Sequence, residues 1–166
     1  MKIKSFLWLF VSSGSLCMAT PLKVGDKVPA IMLPDEKGTM YSIPSQPGRK
    51  MAINFIPKAH KLSFRCTEQA CSIRNGFIDL QKENIEVVFV SNDSTANLKK
   101  FKERNQLPFT LLCDEDKVAI AAFGVQGWFG MADRITFLLD GGVIVAILQD
   151  VDVRNHADQI IQAFKK

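Results

Sequence analysis

Two cysteines, Cys66 and Cys71, stand five residues apart in the stretch Pro57–Cys71, PKAHKLSFRCTEQAC, and Ser63 lies three residues before the first. The thiolate is the reactive form of cysteine, and an ordinary thiol is mostly protonated at neutral pH. Cys66 is placed to favour the thiolate. It falls at the expected start of a helix-like segment running to about Lys82, where unpaired backbone N–H groups and the helix dipole favour negative charge. Arg65 is its neighbour, and the Ser63 hydroxyl is a candidate hydrogen-bond partner for a thiolate or a substrate oxygen. Two cysteines filling a core as small apolar residues would show the same spacing, so the pair alone leaves both readings open.

The pair is also constrained by helix geometry. Five residues of regular helix advance about 7.5 Å and turn about 140°, which puts the two Cα atoms roughly 8–9 Å apart. A disulfide needs Cα atoms within about 7 Å. Cys66 and Cys71 therefore bond only if the first turn unwinds. That predicts two conformations, one with the helix formed and Cys66 reduced, the other locally unwound and disulfide-bonded. A sulfenic acid on Cys66 would be the oxidised species with which Cys71 condenses.

The elements that must position these residues are legible from periodicity. Residues 20–50 are rich in proline and glycine and fit short strand pairs around Ala30–Leu33 and Met40–Ile43. Met51–Ile56 is a short apolar run of the buried-strand kind. Ala70, Ile73, Phe77 and Leu80 repeat at the spacing of one helix face. Ile85–Val90 is a β-prone run, and Ser91–Ser94 caps a helix through about Arg104. Phe109–Leu112 reads as a strand and Val118–Phe123 as a small helix. Ile135–Leu139 and Val143–Leu148 form an expected hairpin over Asp140-Gly141-Gly142, and an amphipathic helix closes the chain from about Arg154 to Phe164. Strands alternating with helices predict an α/β fold with a mixed central sheet flanked by helices.

The chain has 166 residues, 47% of them hydrophobic, enough for one domain with a proper core. Its net charge of +4 includes Lys2 and Lys4, and no later segment carries a long basic run, so nucleic acid is not an expected partner. Residues 1–19 have the pattern of a signal peptide: a positive start, an apolar stretch at Phe6–Val11 and a small-residue end at Cys17-Met18-Ala19. Cleavage near Ala19 would give an exported, periplasmic protein comprising residues 20–166. The segment is short for a membrane span. A lipid anchor on Cys17 would have bulky Leu16 where a small residue is wanted. Removing the signal leaves three cysteines, an odd number that argues against a purely structural disulfide framework.

From Cys66 to Asn75 the sequence CTEQACSIRN resembles the active-site helix of the peroxiredoxins, closest to the bacterioferritin-comigratory (Q-type) thiol peroxidases. The opening LKVGDKVP, VVFVSND, LPFTLLCD and RITFLLD extend the resemblance over most of the chain after residue 19. It implies a thioredoxin-like fold with a peroxiredoxin-type N-terminal extension. It implies Cys66 as the peroxidatic cysteine, Cys71 as the resolving cysteine, Arg134 as stabiliser of the thiolate and of charge developing on the peroxide, and Ser63 as a hydrogen-bonding partner of the substrate. It also implies a hydroperoxide substrate, a thioredoxin-like reductant, no bound cofactor or metal, and a monomer or weak homodimer. Pro57, the proline that shields the cysteine in the family, stands six residues before Ser63 instead of four, so the loop carries two extra residues.

Two other functions fit a thioredoxin-like fold. A thiol–disulfide oxidoreductase would want Cys-x-x-Cys. A copper-binding assembly factor would want two close cysteines and a distal histidine, for which His156 is the nominee. The remaining polar and aromatic candidates have plainer expected roles. Cys113 is a strand-end or core cysteine, and His60 a solvated loop residue. His156 is a surface residue opening the last helix, and Gln69 an exposed helix residue, with orientation of Arg134 as its alternative. Trp128 and Phe129 anchor a glycine-flanked loop in the core, with an apolar patch for organic hydroperoxides or a partner as the alternative.

Overall fold

In a computed structural model, residues 21–44, 48–58 and 64–166 are described. The expected signal segment and the loop residues Ser63 and His60 lie outside them. A β-hairpin, β1 (Ile31–Pro34) and β2 (Met40–Ile43), precedes a five-stranded sheet. The sheet comprises β3 (Lys50–Phe55), β4 (Ile85–Ser91), β5 (Thr110–Cys113), β6 (Ile135–Asp140) and β7 (Val143–Leu148), in the order β5-β4-β3-β6-β7. Its first three strands are parallel, while β6 runs antiparallel to β3 and β7 to β6. The α/β reading with a mixed sheet holds.

The near-continuous apolar runs of β3 and β4 follow from burial on both faces. On one face Ala52, Ile56, Val87, Phe89 and Leu138 pack under helices α1 (Phe64–Asn75), α2 (Phe77–Lys82), α3 (Thr95–Asn105) and α5 (His156–Ala163). On the other, Met51, Ile53, Phe55, Val88 and Val90 meet the hairpin and α4 (Val118–Ala122). The hairpin is fastened to edge strand β5 through Glu36. This carboxylate, nearly fully buried, accepts from Lys102 Nζ (2.6 Å) on α3 and from the Leu111 backbone N–H (3.1 Å). An edge so covered is not open to strand addition. Ser94 caps α3 as expected, accepting from the Asn97 N–H.

The helical segment expected through Lys82 breaks in two at Gly76. A Cβ at Gly76 would lie 2.4 Å from Ala157 Cβ, so the glycine lets α5 approach the end of α1. Periodicity cannot reveal a constraint set by another helix. Gly76→Ala should therefore destabilise the fold by about 1–3 kcal/mol through overpacking, seen as a lower urea midpoint with an unchanged m-value.

Candidate active site

The parallel strands β3 and β4 direct their carboxyl ends to one edge of the sheet, where open α/β sheets carry their sites. Pro57 follows β3 at this edge. Arg134 precedes β6, whose first residue, Ile135, pairs with Phe55 at the end of β3. Cys66 is the third described residue of α1 and is fully buried. Its sulfur accepts a hydrogen bond from Arg134 Nη2 at 3.2 Å, and its thiol faces the Pro57 carbonyl at 3.6 Å. Three residues distant in sequence are thus brought together at one sulfur. The sulfur sits beside a guanidinium in the first described turn of α1.

The same guanidinium donates through Nη1 to Gln69 Oε1, one turn along α1. Gln69 is fully buried, which replaces the expectation of an exposed helix residue. Its amide orients Arg134, and its own Nε2 has no partner among the described residues. Removing the amide should free the guanidinium, so Gln69→Ala is expected to change the rate of Cys66 oxidation about tenfold or more, against an unchanged fold by circular dichroism. Cys71 lies further along the same intact helix, half-buried and not disulfide-bonded. Cys113 ends β5 as a buried residue. Burial pushes its thiol pKa up, and the Glu115 carboxylate accepts from it at 3.6 Å.

An open cavity of about 420 Å³ reaches Arg134 from solvent, between Arg65 at the start of α1 and the segment Gln149–Asp152. A second cavity, of about 310 Å³, lies around Arg49, Glu86 and Phe109 near the opposite ends of the strands, away from the thiol.

Two further expectations are overturned. Trp128 and Phe129 are 85% and 93% exposed, so they do not anchor their loop. That work is done by backbone pairing of Gln126 with Ala132 and by Asn92 Nδ2 donating to the Gly130 carbonyl. His156 opens α5 as expected, but it is fully buried. Its Nε2 lies 2.9 Å from both Thr136 Oγ1 and Asn54 Oδ1, and its Nδ1 lies 2.8 Å from Gln159 Oε1. Asn54, Thr136 and Gln159 were not singled out from sequence. The available signal was a polar residue inside each of two apolar strands, MAINF and ITFLLD. Both ring nitrogens are engaged within this cluster, so the imidazole does not serve as the distal ligand of a two-cysteine metal site. Among the described residues no group of three or more His, Cys, Asp or Glu is arranged to hold a metal.

A buried thiol held by an arginine at the carboxyl edge of this sheet defines a thioredoxin-like protein built for thiol chemistry. Comparison with known proteins specifies which kind. Residues 24–147 match the AhpC/TSA family. Peroxiredoxin Bcp of Escherichia coli K12 is 34% identical over 154 residues, covering 88% of this chain and 97% of that protein. A peroxiredoxin Bcp homologue from Coxiella burnetii is also 34% identical, over 84% of this chain and 97% of its own length. Among solved structures, peroxidoxin BcpB of Mycobacterium tuberculosis superposes with a TM-score of 0.78 at 26% identity, over 87% of this chain and 97% of that one. The bacterioferritin comigratory protein of Xanthomonas campestris, described in terms of alkyl peroxide reduction, gives 0.74 at 26% identity, over 81% and 90%. The chain belongs to the AhpC/TSA family, the peroxiredoxins, which are thiol-dependent peroxidases.

Burial pushes the His156 pKa down from 6.5 to about 4, with the Arg134 charge adding to the effect against the Gln159 hydrogen bond. The unfolded chain therefore takes up this proton first as pH falls. The stability contributed by the neutral buried ring is intact above pH 6.5 and lost on the way down to about pH 4, amounting to about 3 kcal/mol. Urea unfolding across that range should show this loss, and His156→Gln should flatten it.

Proposed function

We propose that this peroxidase reduces hydrogen peroxide or small alkyl hydroperoxides through Cys66, with Cys71 as resolving thiol and a thioredoxin-like dithiol as external reductant. The observation that carries the reading is the Arg134 guanidinium 3.2 Å from the Cys66 sulfur. The Cys66 thiolate attacks one peroxide oxygen. An S–O bond forms, the O–O bond breaks, and the departing alkoxide or hydroxide takes a proton to leave as alcohol or water. Arg134 is aimed where negative charge collects during that step, which is the arrangement that lowers such barriers most.

Cys66 is left as a sulfenic acid. The Cys71 sulfur then attacks it, an S–S bond forms, the S–O bond breaks and water leaves. The intact α1 keeps the two sulfurs' backbones too far apart for that bond, so its first turn must unwind for resolution. An incoming dithiol reduces the disulfide with two electrons and restores both thiols. Ser63 and Pro57 would hydrogen-bond and enclose the substrate. The exposed pair Trp128 and Phe129 offers an apolar approach suited to alkyl substrates. We place this chemistry in an exported, periplasmic protein released near Ala19.

Peroxide consumption with a dithiol reductant tests the reading. Cys66→Ser should abolish it, and Arg134→Ala should lower the rate about 10²- to 10³-fold. Cys71→Ser should leave one rapid turnover that ends in sulfenic acid, read by mass. A wild type no faster than a free thiol would defeat the proposal.

A further inference from the structure

His156 is bonded to all three elements that deliver the reacting groups. Its ring meets Asn54 of β3, three residues before Pro57, and Thr136 of β6, two residues after Arg134. Arg134 itself stands in the bend that leads into β6, two residues before Thr136. Its backbone N–H donates to Ser72 Oγ of α1 at 2.8 Å, one residue beyond Cys71.

The hydrogens in this cluster can be placed from its surroundings. Asn54 Nδ2 donates to the carbonyls of Ala52 and Val88, which turns Oδ1 toward the imidazole. Gln159 Nε2 donates to the Asp150 carbonyl and its Oε1 accepts from the Asp152 N–H, which turns that oxygen toward Nδ1. In the neutral ring Nδ1 then carries the proton and Nε2 is an acceptor. Asn54 Oδ1 and His156 Nε2 therefore face each other at 2.9 Å as two acceptors. The Thr136 hydroxyl, 2.9 Å from each, brings the one hydrogen that these two acceptors share. Without it, two lone pairs oppose each other beneath the strand pair that carries Arg134.

We propose that His156 is a positioning residue for the peroxidase reaction, acting with Thr136 to hold the Arg134 strand, the Pro57 strand and the Cys66 helix in one fixed relation. The rest of α1 agrees with this anchor. Its carboxyl half is fastened at Ser72, by Arg74 Nη1 donating to the Asn105 carbonyl, and by the close contact of Gly76 with Ala157. Among the described residues, side-chain ties of its amino half run to Arg134 and the Pro57 carbonyl. The anchored half thus begins where the half that must unwind ends.

The inference rests on the peroxidase reading, and one experiment separates the two. Oxidation of Cys66 by hydrogen peroxide and its alkylation by iodoacetamide are both followed on the full-length chain by mass of the Cys66 peptide. Both reagents consume the thiolate, but only peroxide attack depends on where the guanidinium stands. Thr136→Val should slow oxidation about ten- to a hundredfold while alkylation stays within about threefold, and Thr136→Ser should restore oxidation. Ser72→Ala, a milder change, should give the same split at about threefold or more and decides the matter if the valine variant does not fold. Oxidation at the wild-type rate in Thr136→Val, equal loss of both reactions, or no restoration by serine would overturn the positioning role while leaving the peroxidase intact. A wild-type Cys66 oxidised no faster than a free thiol would sink the peroxidase reading, and the positioning role with it.

Discussion

The structure turns on one guanidinium. Arg134 divides its donors between the Cys66 sulfur and the Gln69 amide, so a single charged group both meets the buried sulfur and ties down the helix that presents it. Holding a cation against a buried sulfur is costly unless hydrogen bonds and opposite charge are supplied together. The Gln69 oxygen and the Cys66 sulfur accept its hydrogen bonds. Because β6 is antiparallel to β3, the amino end of one strand lies beside the carboxyl end of the other, and the arginine is delivered where the Pro57 loop departs.

That dependence gives α1 two unequal halves. The carboxyl half is gripped by α5 and by the last residue of α3 through contacts that do not involve Cys66. The amino half rests on Arg134. Among the described residues its side-chain ties run to Arg134 and to the Pro57 carbonyl.

The loop after α4 presents a contrasting use of apolar residues. Phe129 adopts a left-handed backbone conformation (φ 55°) and its ring is nearly fully exposed beside that of Trp128. Neither burial nor backbone preference accounts for two aromatics here. The loop keeps its shape through backbone pairing at its base and through Asn92 at the end of β4, which places the pair at the same edge of the sheet as the thiol.

Much of this was open to reading in one dimension. The α/β order, the strand runs, the Ser94 cap and the cysteine spacing are local features, set by periodicity and by chemistry within a few residues. The resemblance of CTEQACSIRN and RITFLLD to peroxiredoxin motifs pointed to the same helix and arginine that the fold brings together. What the sequence could not show were contacts across long separations. Gln69 looked like an exposed helix residue because nothing nearby in sequence announces that Arg134 will cover it. His156 opens α5 where a surface residue is usual, and it is buried only because α5 lies against Asn54 and Thr136. The break at Gly76 has the same origin in Ala157. The sequence by itself determined the strands and helices around Cys66, since propensity and periodicity are local. Tertiary structure alone decided which polar groups became buried and whom they face, because desolvation is imposed by neighbours distant along the chain.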